Sequence, residues 1–429
     1  MHHGCAELRS MTASQHPAPP VLALSGIRVL DLSRVLAGPL CAQYLGDMGA
    51  DVIKVESPVT GDDTRSWPEF KTGTNGAHAA GPFLSANRNK RSLALDLKSP
   101  EGRVIVHELA SNADIVVESF APGVAARLGV DSASLRAKNP RLIHCSISGF
   151  GSVGPMRHGK GYDLVLQAFS GMLSITGDEG SPPMRSPFSP VDQGTGMHAL
   201  IGILAALLRR NQTGEGCSVE ASLFDTSAAF LAYFLQNYWN SGKEPKKAGV
   251  GHASLCPYGV FDSADRPIIL GIANDSLWRK FCTLAQIEET TALAPEFATN
   301  NARVQHRKKT EQLVSLALKK HGRAHWLSLL DDNGIPCTAV HSLSEMAGHL
   351  HTEASGMLLH YTHPQFGPMK GVAQPLRFDG ERCAQRLAPP LCGEHSVQIL
   401  QELGYSSTQI NALLGEGVIS ASKATASTA

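Results

Sequence analysis

This chain has no excess of charge in either direction. Its 429 residues carry 38 Lys plus Arg against 38 Asp plus Glu. A broad nucleic-acid surface would show as a basic excess, so that partner class is excluded, while a small basic pocket is not. No CxxC pair occurs. The nine cysteines (Cys5, Cys41, Cys145, Cys217, Cys256, Cys282, Cys337, Cys383 and Cys392) are scattered and odd in number. That excludes zinc ribbons and dithiol redox motifs and reads as the reduced thiols of a cytoplasmic protein, with the mitochondrial matrix as the alternative in a eukaryote. The longest apolar run, Met197 to Leu208, falls short of the ~18 residues of a membrane span and contains His198. No membrane partner is expected. There is no fixed-period repeat and no Walker A lysine motif, and the turn after the first predicted strand, "SRVLAGP", is not GxGxxG. Charged residues are only 18% and hydrophobic residues 42%, the balance of a folded protein large enough for two cores.

What is present begins with a βαβ pattern. "IRVLDLS" reads as a buried strand, "GPLCAQYLGDMGA" as a short helix with Pro39 at its start, and "DVIKVE" as the next strand. The pattern returns in "RSLALDL", a helix capped by Ser99 with Pro100 at its first position, and "ADIVVES", and again up to "RLIHCSIS". These alternations predict an α/β fold, a doubly wound Rossmann-like large domain over 22–235. A smaller α+β domain is expected over 240–350, with a capping box at Ser342. Residues 351–415 read as a return segment and C-terminal helices packing on the large domain. Disordered ends are expected at 1–21 and 416–429.

The residues that could carry chemistry are few. Asp192 sits alone at the mouth of the apolar run "VDQGTGMHALIGILAAL". An acid there is either part of a helix start or a reactive group exposed at a helix end, and position alone leaves both open. Cations follow the strands: Arg34, then Arg88, Lys90 and Arg91, then Arg127 and Lys160. Strand ends of a doubly wound sheet converge on one crevice, where gathered cations would suit a ligand with several phosphates. Singly, each reads as a solvated charge. Glu56 ends the second strand, either beside a ribose or as a solvated strand end. His198 reads as a packed core histidine and Asp225 as structural.

Taken in order, "LDLSRVLAGPLCAQYLGDMGADVIKVE", "NKRSLALDLKSPEG", "DIVVESFAPG", "GYDLVLQAFSGMLSITG", "VDQGTGMHALIGILAAL" and "PPLCGEHS" resemble the class III coenzyme A transferases, the family of formyl-CoA and carnitine CoA-transferases. The segment "GHASLCPYGVF" resembles the branch containing the succinyl-CoA:glutarate transferases. The resemblance implies an interlocked homodimer with acyl-CoA and a carboxylic acid as substrates, and no tightly bound cofactor or metal. It places the nucleophile at Asp192. It places Val35, Leu36, Ala37, Leu95, Lys98, Ser119, Phe120, Ala121, Arg127 and Lys160 against coenzyme A, with Tyr162 and Asp163 beside the reacting thioester. Gly251, His252, Ala253 and Ser254 stand roughly where the formyl-CoA branch has a glycine-run loop over its substrate. That run is absent here, which turns the expectation from formate and oxalate toward short dicarboxylates and a succinyl-CoA donor. For the second carboxylate, the candidate partners are His252, Ser254 and Arg185. Two departures stand out: Ser119 replaces a frequent Asn, and Ser57 replaces an Arg after the second strand. The rival within the superfamily is an α-methylacyl-CoA racemase, which needs a base near neutral pH where this chain has Tyr162. The rival from another class is a non-catalytic CoA-binding protein, which would have no use for Asp192.

Overall fold

The computed structural model describes residues 22–73 and 78–422; the expectation for 1–21 lies outside them. The βαβ pattern builds a seven-stranded sheet. From one edge to the other it runs Ile419–Ser420, Lys90–Leu95, Asp51–Glu56, Arg28–Leu32, Ile115–Glu118, Ile143–Ser148 and Ser218–Ser222. All pairs are parallel except that of the C-terminal edge strand. Counted along the chain, the six parallel strands lie in the doubly wound order 3-2-1-4-5-6. The order reverses between Arg28–Leu32 and Ile115–Glu118, which places the ligand crevice at the C-terminal ends of those two strands.

Two apolar layers cover the sheet. On one face, Cys41 and Leu45 of the Ala37–Asp47 helix and Ala199, Ile203 and Leu207 of the Pro190–Thr213 helix pack on Val29, Ile115 and Ile143. On the other, Ile105 and Leu109 of the Pro100–Ser111 helix pack with Leu30, Val116 and the C-terminal residues Ile399 and Leu413. The Ser99 side chain accepts the Gly102 N–H at the start of that helix, with Pro100 next to it. A third core surrounds a three-stranded antiparallel sheet, Tyr258–Asp262, Pro267–Gly271 and Cys337–Ala339, where Trp278, Phe281 and Trp326 are buried. Ser342 and Glu345 form the capping box that the sequence predicts.

Three expectations change. The C-terminal tail does not begin at 416. Val418 and Ile419 are buried, and Ile419–Ser420 pairs with Leu95 and Ala94; two residues are too short a run to show a strand period. The stretch 351–415 also contains an antiparallel hairpin, Leu358–His363 with Gly367–Val372. The 24-residue helix Pro190–Thr213 is long and apolar enough to cross a membrane by length and composition. Its Ala199, Ile203 and Arg210 are buried, and Arg210 pairs with Asp114 at 2.9 Å, the behaviour of a core helix.

Candidate active site

The first crevice strand ends in a bend held from below by a buried ion network. Asp31 Oδ2 takes Lys90 Nζ at 2.9 Å, while its Oδ1 accepts the Ser33 N–H at 3.0 Å and the Ser33 hydroxyl. Lys54 Nζ donates to the Ser33 carbonyl at 3.0 Å and pairs with Asp62 at 2.8 Å. Burial pushes Lys90 down to about 8, against the pull of Asp31. Above this network Val35 adopts φ 69, a left-handed conformation that is strained for a β-branched residue. Leu36 then precedes the helix that begins at Ala37.

This network corrects the reading of the cation cluster. Lys90 is fully buried and saturated by Asp31, Asn87 and the Pro39 carbonyl. Arg88 pairs with Asp47 at 2.6 Å and Arg91 with Asp51 at 2.7 Å. None of the three is available to a phosphate. Glu56 is neither beside an open ribose site nor a solvated strand end. It is buried, accepts from Arg65, Ser92 and the Asp62 N–H, and its carboxyl is held below the usual range despite its burial. Arg34 is exposed, 3.4 Å from Asp63.

The other lip of the crevice follows the fourth strand. Ser119 Oγ accepts the Arg34 N–H at 3.0 Å, so the residue that stands in place of Asn ties the two lips together across the reversal point. Glu118 accepts the Phe120 N–H at 2.7 Å. Phe120 and Ala121 line a cavity of about 300 Å³ with Ser146, Ser148, Arg157 and His158. Leu95 ends the third strand, and Lys98 follows it, exposed. Arg127 lies in the last turn of the Val124–Leu128 helix, and Lys160 follows the fifth strand; both are exposed. Among the described residues, Lys98, Arg127 and Lys160 form no ion pair with a carboxylate. The topology thus brings the coenzyme candidates to one end of the sheet.

Asp192 lies in the first turn of the Pro190–Thr213 helix. This helix docks directly on the crevice turn: a Cβ on Gly196 would stand 2.5 Å from the Ala37 carbonyl oxygen, so only glycine permits the approach. Ser189, at the cap position, supplies no side-chain bond. The helix end is capped instead from another element. Asp163, buried at the start of the Asp163–Phe169 helix, accepts the Val191 N–H at 2.8 Å and the Asp192 N–H at 3.1 Å through Oδ2. Asp192 is therefore not the cap of its own helix. Burial, and then the Asp163 charge, raise the Asp192 carboxyl to about 7. Tyr162, next to Asp163, is 64% exposed.

Around this centre the remaining candidates divide. His198 is exposed rather than packed in the core, and its Nδ1 is 3.0 Å from Thr226 Oγ1; the helix face that it occupies is not the buried one. Asp225 accepts the Ser222 hydroxyl at 2.6 Å at a helix start, the structural role expected of it. His252 Nδ1 accepts the Ser254 N–H at 3.1 Å, and the Ser254 carbonyl accepts Asn300 Nδ2 at 2.8 Å. The Gly251–Ser254 loop, with Ala253 exposed, is thus anchored on the three-stranded sheet's own helices. It follows a segment that bonds the 176–189 loop ahead of the Asp192 helix. Lys247 Nζ donates to the Ser181 and Pro182 carbonyls at 2.9 and 2.6 Å, and the Gly249 N–H donates to the Gly177 carbonyl at 3.0 Å. Arg185 is exposed, and among the described residues its guanidinium bonds only the Ser186 and Pro187 carbonyls of its own loop. Gln167 was not among the sequence candidates. It bonds both Asp163 and the Ser186 N–H.

The chain is similar to known proteins over most of its length. The chain is 37% identical over 397 residues to a succinyl-CoA:glutarate CoA-transferase of Mus musculus, covering 92% of this chain and 90% of that protein. It is 38% identical over 397 residues to a succinate–glutarate CoA-transferase of Agrobacterium fabrum, covering 92% and 98%. The fold superimposes with a TM-score of 0.79 on the crystal structure of a CaiB/BaiF family protein from Brucella suis, at 36% identity, covering 90% of this chain and 100% of that one. The family model for CoA-transferase family III matches residues 24–396. The chain belongs to CoA-transferase family III.

Proposed function

We propose that this transferase moves CoA between succinyl-CoA and a dicarboxylic acid of about five carbons such as glutarate, through covalent intermediates on Asp192. The observation that carries the reading is the placement of Asp192: a carboxylate at a helix start, held beside Asp163, on a helix seated against the crevice turn. The similarity to two glutarate-using enzymes supports the substrate pair. The nucleotide end of CoA lies over the crevice, with Lys98, Arg127 and Lys160 as the unpaired cations for its phosphates. Val35 to Ala37 and Ser119 to Ala121 form the two lips.

Ionised Asp192 attacks the thioester carbonyl. The C–S bond breaks, CoA leaves as thiolate, and a mixed anhydride remains. The thiolate attacks the aspartyl carbonyl, giving an aspartyl thioester and releasing succinate. The incoming carboxylate then displaces the thiolate to form a second anhydride. Attack of the thiolate on the new acyl group yields product and returns Asp192 as carboxylate. Each addition develops an oxyanion, which needs backbone N–H groups from outside the Asp192 helix, since the amides after Asp192 are spent on that helix.

The active unit is a homodimer in this reading. The Asp192 helix leaves Ile201 and Leu208 62% and 67% exposed, and Phe188, Phe230, Tyr233 and Trp239 are exposed on neighbouring elements. A second copy of the chain would cover this apolar surface.

The deciding experiment is incubation with succinyl-CoA and no acceptor, followed by hydroxylamine and peptide mass spectrometry. The reading requires a hydroxamate on the peptide containing Asp192. A racemase or a CoA-binding protein leaves that peptide unmodified.

A further inference from the structure

We propose that Gln167 is a positioning residue of the transfer reaction, joining the loop ahead of the Asp192 helix to the carboxylate that caps that helix. Gln167 stands one turn after Asp163 on the same helix and is 1% exposed. Its two amide atoms serve different partners. Nε2 donates to Asp163 Oδ1, and Oε1 accepts the Ser186 N–H at 3.0 Å. Asp163 Oδ2 meanwhile accepts the Val191 and Asp192 N–H groups. One side chain therefore fixes the rotation of the Asp163 carboxylate and clamps the chain five residues ahead of Val191.

Between these anchors the carbonyls of the segment are bonded, by Arg185 at Ser186 and Pro187 and by the Gln193 N–H at Ser189, but its donors are few. It reads Ser186, Pro187, Phe188, Ser189, Pro190. Its two prolines have no N–H to donate, and Ser189 supplies no cap. The position of the Asp192 carboxylate thus depends on both ends of the segment, and both ends run through Gln167. Nucleophilic attack is sensitive to displacements of about 1 Å. The polarity of the amide is also decisive. Only a group that donates at one end and accepts at the other can satisfy a carboxylate and an N–H together. A hydrocarbon of the same length would fill the space and fulfil neither role.

This inference rests on the proposed role of Asp192, and the test separates the two. Gln167→Met, Asp163→Asn and the double variant are compared with wild type for kcat, for KM of succinyl-CoA and for the rate of hydroxylamine capture on the Asp192 peptide. Gln167→Met is expected to lower kcat and capture rate at least about tenfold while KM for succinyl-CoA stays within about twofold, because the coenzyme is held on other elements. Because Gln167 and Asp163 position the same carboxylate, the loss in the double variant should fall short of the two single losses combined. Should Gln167→Met fail to fold, Gln167→Asn, which keeps the amide but not its reach, takes its place in the same cycle. Unchanged kcat overturns the proposal. So do additive losses, or a KM that rises in step with the fall in kcat. Absence of captured Asp192 in the wild type overturns the reading of the nucleophile instead.

Discussion

Asp163 and Asp192 meet at one helix end: Oδ2 of Asp163 accepts the backbone N–H of Asp192 at 3.1 Å, while its charge opposes ionisation of the Asp192 side chain. The same carboxylate thus orients the nucleophile's backbone and raises its carboxyl, together with burial, to about 7. A carboxylate is a better nucleophile the more basic it is, provided that it is ionised at the working pH. This arrangement sets that compromise near neutrality.

The activity consequence follows directly. The kcat/KM for succinyl-CoA should rise with pH and reach half its plateau near pH 7, the value to which Asp192 is raised in the free enzyme. Asp163→Asn removes the second of the two causes, so its midpoint should move to lower pH, with burial still holding it above an ordinary aspartate. Asp192→Asn should lose at least about a thousandfold in kcat, ~4 kcal/mol of barrier, since the covalent route is gone. A pH profile with no acid limb, or one unchanged by Asp163→Asn, contradicts the assignment.

A stability consequence has the opposite sign. The folded-state carboxyl of Asp192 lies above its ordinary value of 3.8. Between these values the native state binds a proton that the unfolded chain has lost, so stability falls as pH rises through that window. Below about pH 4 the cost is absent, and above about pH 7 it is fully present. Asp192→Asn has no such penalty. Its Tm should exceed that of the wild type by about 2–4 °C at pH 8 and match it at pH 4, as measured by scanning calorimetry. Equal Tm values at pH 8 would show that the acid sits in an ordinary environment.

How much of this could be read from the sequence depends on how local the determinants are. The Asp51–Glu56 strand and the Ser99–Pro100 helix start are short-range signals, and both lie where the pattern puts them. Charge could not be read in the same way. Arg88, Lys90 and Arg91 look like free cations, but Asp47, Asp31 and Asp51 lie 40 or more residues away in the chain. Only the sheet order shows that they are paired. Gln167 escaped notice for the same reason, since its partner Ser186 is 19 residues on. An i, i+4 Asp–Gln pair on a helix gives no hint that both ends are occupied. The candidates that came from matched family segments, such as Ser119 and Phe120, fell at the crevice because the segments carry the strand ends with them.

The unpaired cations give the third prediction. Arg127→Ala and Lys160→Ala should each raise KM for succinyl-CoA about tenfold and leave kcat within about threefold, because they hold a part of the substrate remote from the bond that breaks. Rising salt should weaken coenzyme binding by the wild type more than by either variant. Arg91→Ala, which removes a pair with Asp51 and Glu402, should instead lower Tm and leave KM unaltered. Equal KM values for wild type, Arg127→Ala and Lys160→Ala would return these residues to ordinary surface charges.

The last prediction concerns which acid is accepted. A second carboxylate must be met by a cation or by several donors if it is to leave water. The loop that leads into the Asp192 helix carries one exposed guanidinium, Arg185, bonded among the described residues only to backbone carbonyls of its own loop. Those two bonds use Nε and one terminal nitrogen and leave the other terminal nitrogen free to donate. His252 is a weaker competitor, because its Nδ1 already accepts from Ser254 and its loop is anchored to Asn300. Arg185→Gln should therefore raise KM for glutarate at least about tenfold, leave KM for succinyl-CoA less affected, and narrow the preference for dicarboxylates over butyrate or acetate. The check is a panel of a dozen acids with one CoA donor, followed by mass spectrometry for both proteins. If the wild type uses monocarboxylates and leaves dicarboxylates untouched, the dicarboxylate reading fails. If Arg185→Gln keeps the wild-type preference, Arg185 serves the loop alone, and His252→Gln becomes the variant in which the preference should be lost.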